Sequence, residues 1–262
     1  MTLFRKYRRN LYAVLIILAA VHISLLLNPY NNYDEHMGIT IFFEQMSIHR
    51  SLLPAVVYLL IFPSFSVMQK YSEYHNHFDW FLITRKGRIK YILQSLFSVM
   101  AESVLFNLLL QGMILLTIHL FWSDLNADFT YGLFELISTN PYENLFWFLI
   151  TSNIGAALYA GLLFLLIPWF NSPYIFRALS IFFVLASVLI ASILFPLLAV
   201  AAFITKSKMT VIMLNLNPLG LLTPGIMSES NLFLSFACGA IVILPAIVIM
   251  ACLYKGRREE NV

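Results

Sequence analysis

Glu102 is the one formally charged residue in the run from Tyr91 to Trp122, and it is the first place to look for chemistry. It lies about eleven residues into that run, roughly 16 Å along a helix and so near mid-membrane if the run crosses a bilayer. An ionisable group at that depth is costly and marks a pathway or conformational switch unless it is a hydrogen-bonded structural carboxyl. Ser95 and Ser98 share its helical face, which predicts a polar stripe turned into a bundle or a subunit interface. His22 and His119 read as packing or interface residues. His75 and His77 flank Asn76, but this is not the His-Glu-x-x-His spacing of a helix-borne zinc site and no nearby cysteine completes one, so no metal site is expected. The glycine-rich phosphate loop ending in Lys and Ser or Thr is absent, as is a Gly-x-Ser-x-Gly elbow, and the only adjacent glutamates, Glu259 and Glu260, stand in the terminal tail. Catalysis therefore has no constellation to rest on, and an intramembrane enzyme built around Glu102 is the least favoured reading. Cys238 and Cys252 are fourteen residues apart in one apolar run. That is about 21 Å along a helix, too far for a mutual disulfide, so they read as packing thiols.

The elements that must position these residues follow from composition. Hydrophobic residues make up 60% of the 262-residue chain and charged residues 11%, against about 45–50% and 25% in soluble domains. Such a chain has to live in a lipid bilayer, and disorder, a collagen-like fold and a disulfide scaffold are excluded. The net charge of +3 is too small to imply nucleic acid. Runs long enough to span a membrane give six transmembrane helices, over residues 11–28, 51–68, 91–121, 145–168, 178–204 and 232–254, within a single transmembrane domain covering 1–262. A β-barrel is excluded because the runs lack alternation and are about twice too long for barrel strands. The first run follows Arg5, Lys6, Arg8 and Arg9 like a secretory signal, but without a small-residue cleavage site it is taken as an uncleaved helix. An even number of spans puts both termini on one side, and of sixteen basic residues only Arg50, Lys206 and Lys208 then fall on the other. The positive-inside rule makes the termini cytoplasmic, in a multi-pass protein of the cytoplasmic membrane. Small residues at helical spacing, Ala157 with Gly161, Ser187 with Ala191 and Ser235 with Gly239, predict close helix contacts.

The segment between the second and third spans is the most informative. A helix over Tyr71 to Ile83 would align Tyr71, Tyr74, Phe78 and Phe81 in an aromatic stripe, with Glu73, His77 and Trp80 on other faces. Lying along the membrane, it would turn the stripe to the bilayer or the ends of the spans and leave its polar groups in the cytoplasm. Arg85, Lys86, Arg88 and Lys90 follow, where lipid phosphates would hold them, and Gly87 permits a sharp redirection of the chain. Such a helix either anchors the bundle or docks a cytoplasmic partner.

With these features the chain resembles the membrane subunit of ABC-type exporters of the second class, a permease family of six spans with both termini inside. That family has an amphipathic coupling helix between its second and third spans, with an acidic residue early and an arginine shortly before the third, matched here by Glu73 and Arg85. The likeness covers essentially the whole chain in topology. It implies two separately encoded ATP-binding subunits carrying ATP and magnesium, no cofactor in this chain, and a second permease chain, identical or homologous, in a setting of membrane lipid. Glu73, His77 and Trp80 would then contact the ATPase groove. Tyr74, Phe78 and Phe81 would hold the coupling helix on the membrane, Arg85 would fix its exit, and Arg177, in the short loop between the fourth and fifth spans, would be a secondary contact. The apolar stretch Thr205 to Asn231 contains Asn217 and Pro218, similar to the Asn-Pro pair such permeases carry in a re-entrant segment before the last span, although a plain surface loop fits equally. The short stretch Met1 to Asn10 departs from the longer first interfacial helix of many members. The cargo implied is amphipathic or lipophilic, as in antimicrobial-peptide export or immunity, or drug efflux. A non-transporting scaffold or sensor subunit whose amphipathic helix recruits another partner is the alternative.

Overall fold

The computed structural model describes residues 2–27, 38–46, 61–76, 83–85, 87–125, 140–179, 181–183, 222–224 and 231–259, with isolated positions at 54, 57 and 138. Among them every regular element is a helix. We number the main ones α1 (Thr2–Leu27), α2 (Gly38–Met46), α3 (Phe62–His75), α4 (Arg88–Phe121), α5 (Pro141–Leu166) and α6 (Leu232–Glu259). Three helical stretches are long and apolar enough to cross a membrane, Ile89–Phe121, Pro141–Trp169 and Leu232–Leu253, which marks a helical membrane protein. Beyond residue 183 the fifth expected span lies outside the described residues, as do Asn217 and Pro218.

Helix ends follow local chemistry. Asn140 caps α5 by accepting from the Tyr142 amide at 3.0 Å, and Pro141 occupies the first turn, where its missing N–H costs nothing. Asn231 does the same for α6, accepting from Phe233 at 3.0 Å. Gly87 precedes α4 with φ +79° and ψ 146°, a region essentially closed to side-chain-bearing residues, and there the chain turns into α4 as its glycine predicts. Pro63 lies in the first turn of α3, and Pro168 falls in the short 3-10 turn Ile167–Trp169 that finishes α5.

The antiparallel pair α4 and α5 forms the centre. Ser103 meets Ala156, Asn107 meets Asn153 and Gln111 meets Ser152, so the two chains run in opposite directions. A Cβ on Gly161 would sit 3.4 Å from Leu96, consistent with the close helix approach expected of Ala157 and Gly161. Helix α3 lies against both, with Phe65 on Phe106 at 6.2 Å and Tyr71 on the turn after α5, so its C-terminal end points toward the Arg88 end of α4. Helix α1 contributes a narrow buried stripe of Val14, Val21 and Leu25. On α6 the buried face is Ser235, Cys238, Gly239 and Ile243, so Ser235 and Gly239 lie on the inward side, while Ile241, Val248 and Ile249 are exposed. Cys238 is a buried packing thiol as expected, whereas Cys252, expected to be buried as well, is exposed because it lies on the outer face of α6; both are free.

Helix α2 was not foreseen. Eight of its nine residues are buried, and Phe42 and Phe43 meet Phe148 edge-on at 5.9 and 5.3 Å, plugging the Phe121 end of the α4–α5 pair. Its start is pinned by the Gly38 amide, which donates to the Asp124 carbonyl at 3.1 Å, and a Cβ there would collide with that oxygen. Gly38→Ala is therefore expected to cost about 1–3 kcal/mol through forced backbone displacement. Gly87→Ala should cost about as much through conformational strain alone, since nothing crowds it. Thermal unfolding of both variants in one detergent checks this, and the same substitution at Gly112, also in open space but inside a helix, should have no such cost.

Candidate functional site

The end of α3 differs from the expected interfacial helix. Tyr71 does not begin a new element: residues 71–75 continue α3, which stops at Asn76, whose amide bonds back to Ser72 at 3.2 Å. The apolar run simply carries its helical backbone bonds one turn past its last aliphatic residues, because nothing before Asn76 interrupts them. The aromatic stripe is thus turned inward at its start. Tyr71 is buried, stacks on Phe176 at 4.9 Å and on His75 at 4.1 Å, and donates its hydroxyl to the Phe170 carbonyl at 3.0 Å. Burial pushes its phenol above the ordinary value, which keeps it a donor. Tyr74 is half-buried and packs edge-on against His75 at 5.1 Å.

Glu73 is not a free docking group. Its side chain is 12% exposed and takes Lys70 Nζ at 2.8 Å and Gln69 Nε2 at 3.1 Å. Arg177 is exposed and follows Phe176, the ring stacked on Tyr71, so the turn after α5 and the end of α3 are joined. Arg85 is exposed on the short helical stretch 83–85. His77, Phe78, Trp80 and Phe81 lie outside the described residues.

Deeper in the bundle the polar face is richer than the expected Ser95, Ser98 and Glu102 stripe. Ser95 is buried, Ser98 is exposed and Glu102 half-buried. The fully buried stripe is instead Ser103, Asn107 and Gln111, at steps of four on one face of α4. Asn153 is its hub. It accepts from Asn107 Nδ2 at 2.8 Å and donates to Gln111 Oε1 at 2.8 Å and to the Leu149 carbonyl, while Gln111 Nε2 donates to Ser152 Oγ at 3.0 Å. Asn107 Oδ1 is buried with no hydrogen-bond partner among the described residues. Two turns on, Thr117 gives its one hydroxyl proton to Met113, so it accepts from His22 Nδ1 at 2.8 Å. His22 is thus an interface residue, as expected, and His119 is exposed. The signal for the seam was present as two amides four residues apart in an apolar run. A search for formally charged groups passes over it.

Glu102 stands at the level where these two regions meet. It lies one turn from Phe106 on the same face of α4, toward α3, and the charges of Lys70 and Glu73 act on it. Its carboxylate makes no hydrogen bond or ion pair among the described residues. The structure therefore brings Glu102, which the sequence had assigned to a separate task, within the field of the Lys70–Glu73 pair. No group of three His, Cys, Asp or Glu side chains suited to a metal ion occurs among the described residues.

Asn153→Leu leaves Asn107 Nδ2 and Gln111 Oε1 unpaired at once and should cost about 1–2 kcal/mol, near the upper end for interhelical bonds in membranes. Asn107→Leu strands only Asn153 Oδ1 and at the same time removes an acceptor that is already unserved, so it should cost less; denaturation in mixed micelles would order the two. Tyr71→Phe keeps the stacking but strands the Phe170 carbonyl, for an expected loss of about 1–3 kcal/mol by the same measurement. No family model, curated protein or solved structure matches this chain.

Proposed function

We propose that this chain is the permease subunit of an ATP-driven ABC-type exporter. In this reading it has six spans with both termini in the cytoplasm, pairs with a second identical or homologous permease chain, and is driven by two separate ATP-binding subunits. The observation that carries the reading is the junction at the Arg88 end of the bundle. Tyr71 ties the end of α3 to the turn after α5 through one hydrogen bond and one ring stack. A push on either of the two connecting segments is thereby transmitted to both, and from there to the rigid α4–α5 pair, which is the mechanical property a coupling surface needs. The clustering of Arg85, Arg88, Lys90 and Arg177 at that same end supports a cytoplasmic orientation.

Within this mechanism Trp80, His77 and Arg177 make the main contacts to the ATP-binding subunit. Phe78 and Phe81 hold the segment on the membrane, and Arg85 fixes its exit. Glu73, already engaged by Lys70 and Gln69, acts by shaping the end of α3. The cargo is amphipathic or lipophilic, a peptide or drug-like molecule, leaving through an apolar bundle with a buried amide seam. The engagement of Glu73 inside its own helix also favours a second reading, a scaffold or sensor subunit that recruits a different cytoplasmic partner.

Purification of the tagged chain from its host in mild detergent, followed by mass spectrometry and an ATPase assay, tests the proposal. A stoichiometric ATP-binding subunit is expected. Trp80→Ala with Arg177→Ala should weaken its retention by about 2 kcal/mol or more, the scale of an aromatic or arginine anchor at an interface. Recovery of a partner without ATPase activity would favour the scaffold.

A further inference from the structure

Lys70 stands between two carboxylates carried by different helices. On its own helix it pairs with Glu73 at 2.8 Å, and both side chains are largely withdrawn from solvent, at 18% and 12% exposure. On the neighbouring helix the alternative is Glu102. The depth of each is set by the contact of Phe65 with Phe106 between antiparallel helices. Lys70 lies five residues beyond Phe65 and Glu102 four residues before Phe106, displacements of about 7.5 and 6 Å in the same direction, so the two groups share one level. The field of Lys70 at Glu102 agrees with that placement. Glu102 has no hydrogen bond or ion pair of its own among the described residues, whereas Glu73 has two donors.

One ammonium thus pairs with one carboxylate and acts through its field on a second, and whichever is left alone carries the cost of an uncompensated charge in a half-buried setting. We propose that Lys70 is an exchangeable clasp, closing within α3 when it pairs with Glu73 and fastening α3 to α4 when it pairs with Glu102. The lysine stem has four rotatable carbons, so the exchange requires a rotamer change and no sliding of the helices, which the Tyr71 tie and the amide seam would resist. Each arrangement makes one ion pair and leaves one carboxylate. The two therefore lie close in energy, and the bond from Gln69 to Glu73 tips the balance toward the arrangement seen here. A partner or a pull on the following segment that competes for Glu73 releases Lys70 to Glu102 and stiffens the α3–α4 contact. This inference holds whether or not the partner is an ATPase, and its test requires no partner.

The test is zero-length cross-linking of the full chain in lipid nanodiscs with a membrane-permeant carbodiimide, which joins a lysine to a carboxylate only on contact. In Glu73→Gln the 70–102 cross-linked peptide should rise several-fold over the unsubstituted chain and vanish in Glu73→Gln/Glu102→Gln. In parallel, the fall in unfolding midpoint of the double variant should exceed the sum of the falls in the single variants, because only there does Lys70 lose both partners. Absence of the 70–102 peptide in Glu73→Gln, or additive midpoints, would overturn the proposal.

Discussion

A polar group placed among lipid chains has to find its partner within the protein, and Asn153 is where this chain meets that demand. Its amide serves Asn107 from one side and Gln111 from the other, and both of those lie on the same face of α4. Interhelical bonds in membranes are individually modest, about 0.6 kcal/mol on average. Their directional effect is greater than their energy, since sliding α4 by one residue against α5 would break every rung together. The pair therefore has one register, and α1, α2, α3 and α6 all assemble on it.

That register determines what can meet at the ends. At the Phe121 end α2 fills the space between α4 and α5 with Phe42 and Phe43 and closes it with an apolar plug. At the Arg88 end the turn after α5 brings Phe170 and Phe176 to Tyr71, binding two connections distant in sequence into one unit. Between the seam and that end sit Lys70, paired with Glu73, and Glu102, on which the charges of both act.

Much of this was legible from residue order. The apolar runs that became α4, α5 and α6 were evident, as were the redirection at Gly87, the close contact at Gly161 and the burial of Ser235, Gly239 and Cys238, though not the exposure of Cys252. These are properties of single segments: transfer to lipid is summed residue by residue, and a glycine's freedom belongs to its own backbone. The site was read less well. Glu73 was taken as a docking acid because an early carboxylate fits a coupling helix, yet Lys70 three residues before it and Gln69 four before it already occupy it. The seam was missed because amides carry no charge to flag them.

Residue order by itself determined that this is a helical membrane protein and where its principal helices lie, because bilayer partitioning depends on composition along a run and on little else. The tertiary structure alone decided that Tyr71 faces Phe176 rather than lipid, that a buried helix from Gly38 to Met46 closes one end, and that Glu102 comes within the field of Lys70. Those outcomes depend on the register and rotation of one helix against another. A periodic pattern specifies which face of a helix is polar, but the partner that face meets is set by packing between segments far apart in the chain.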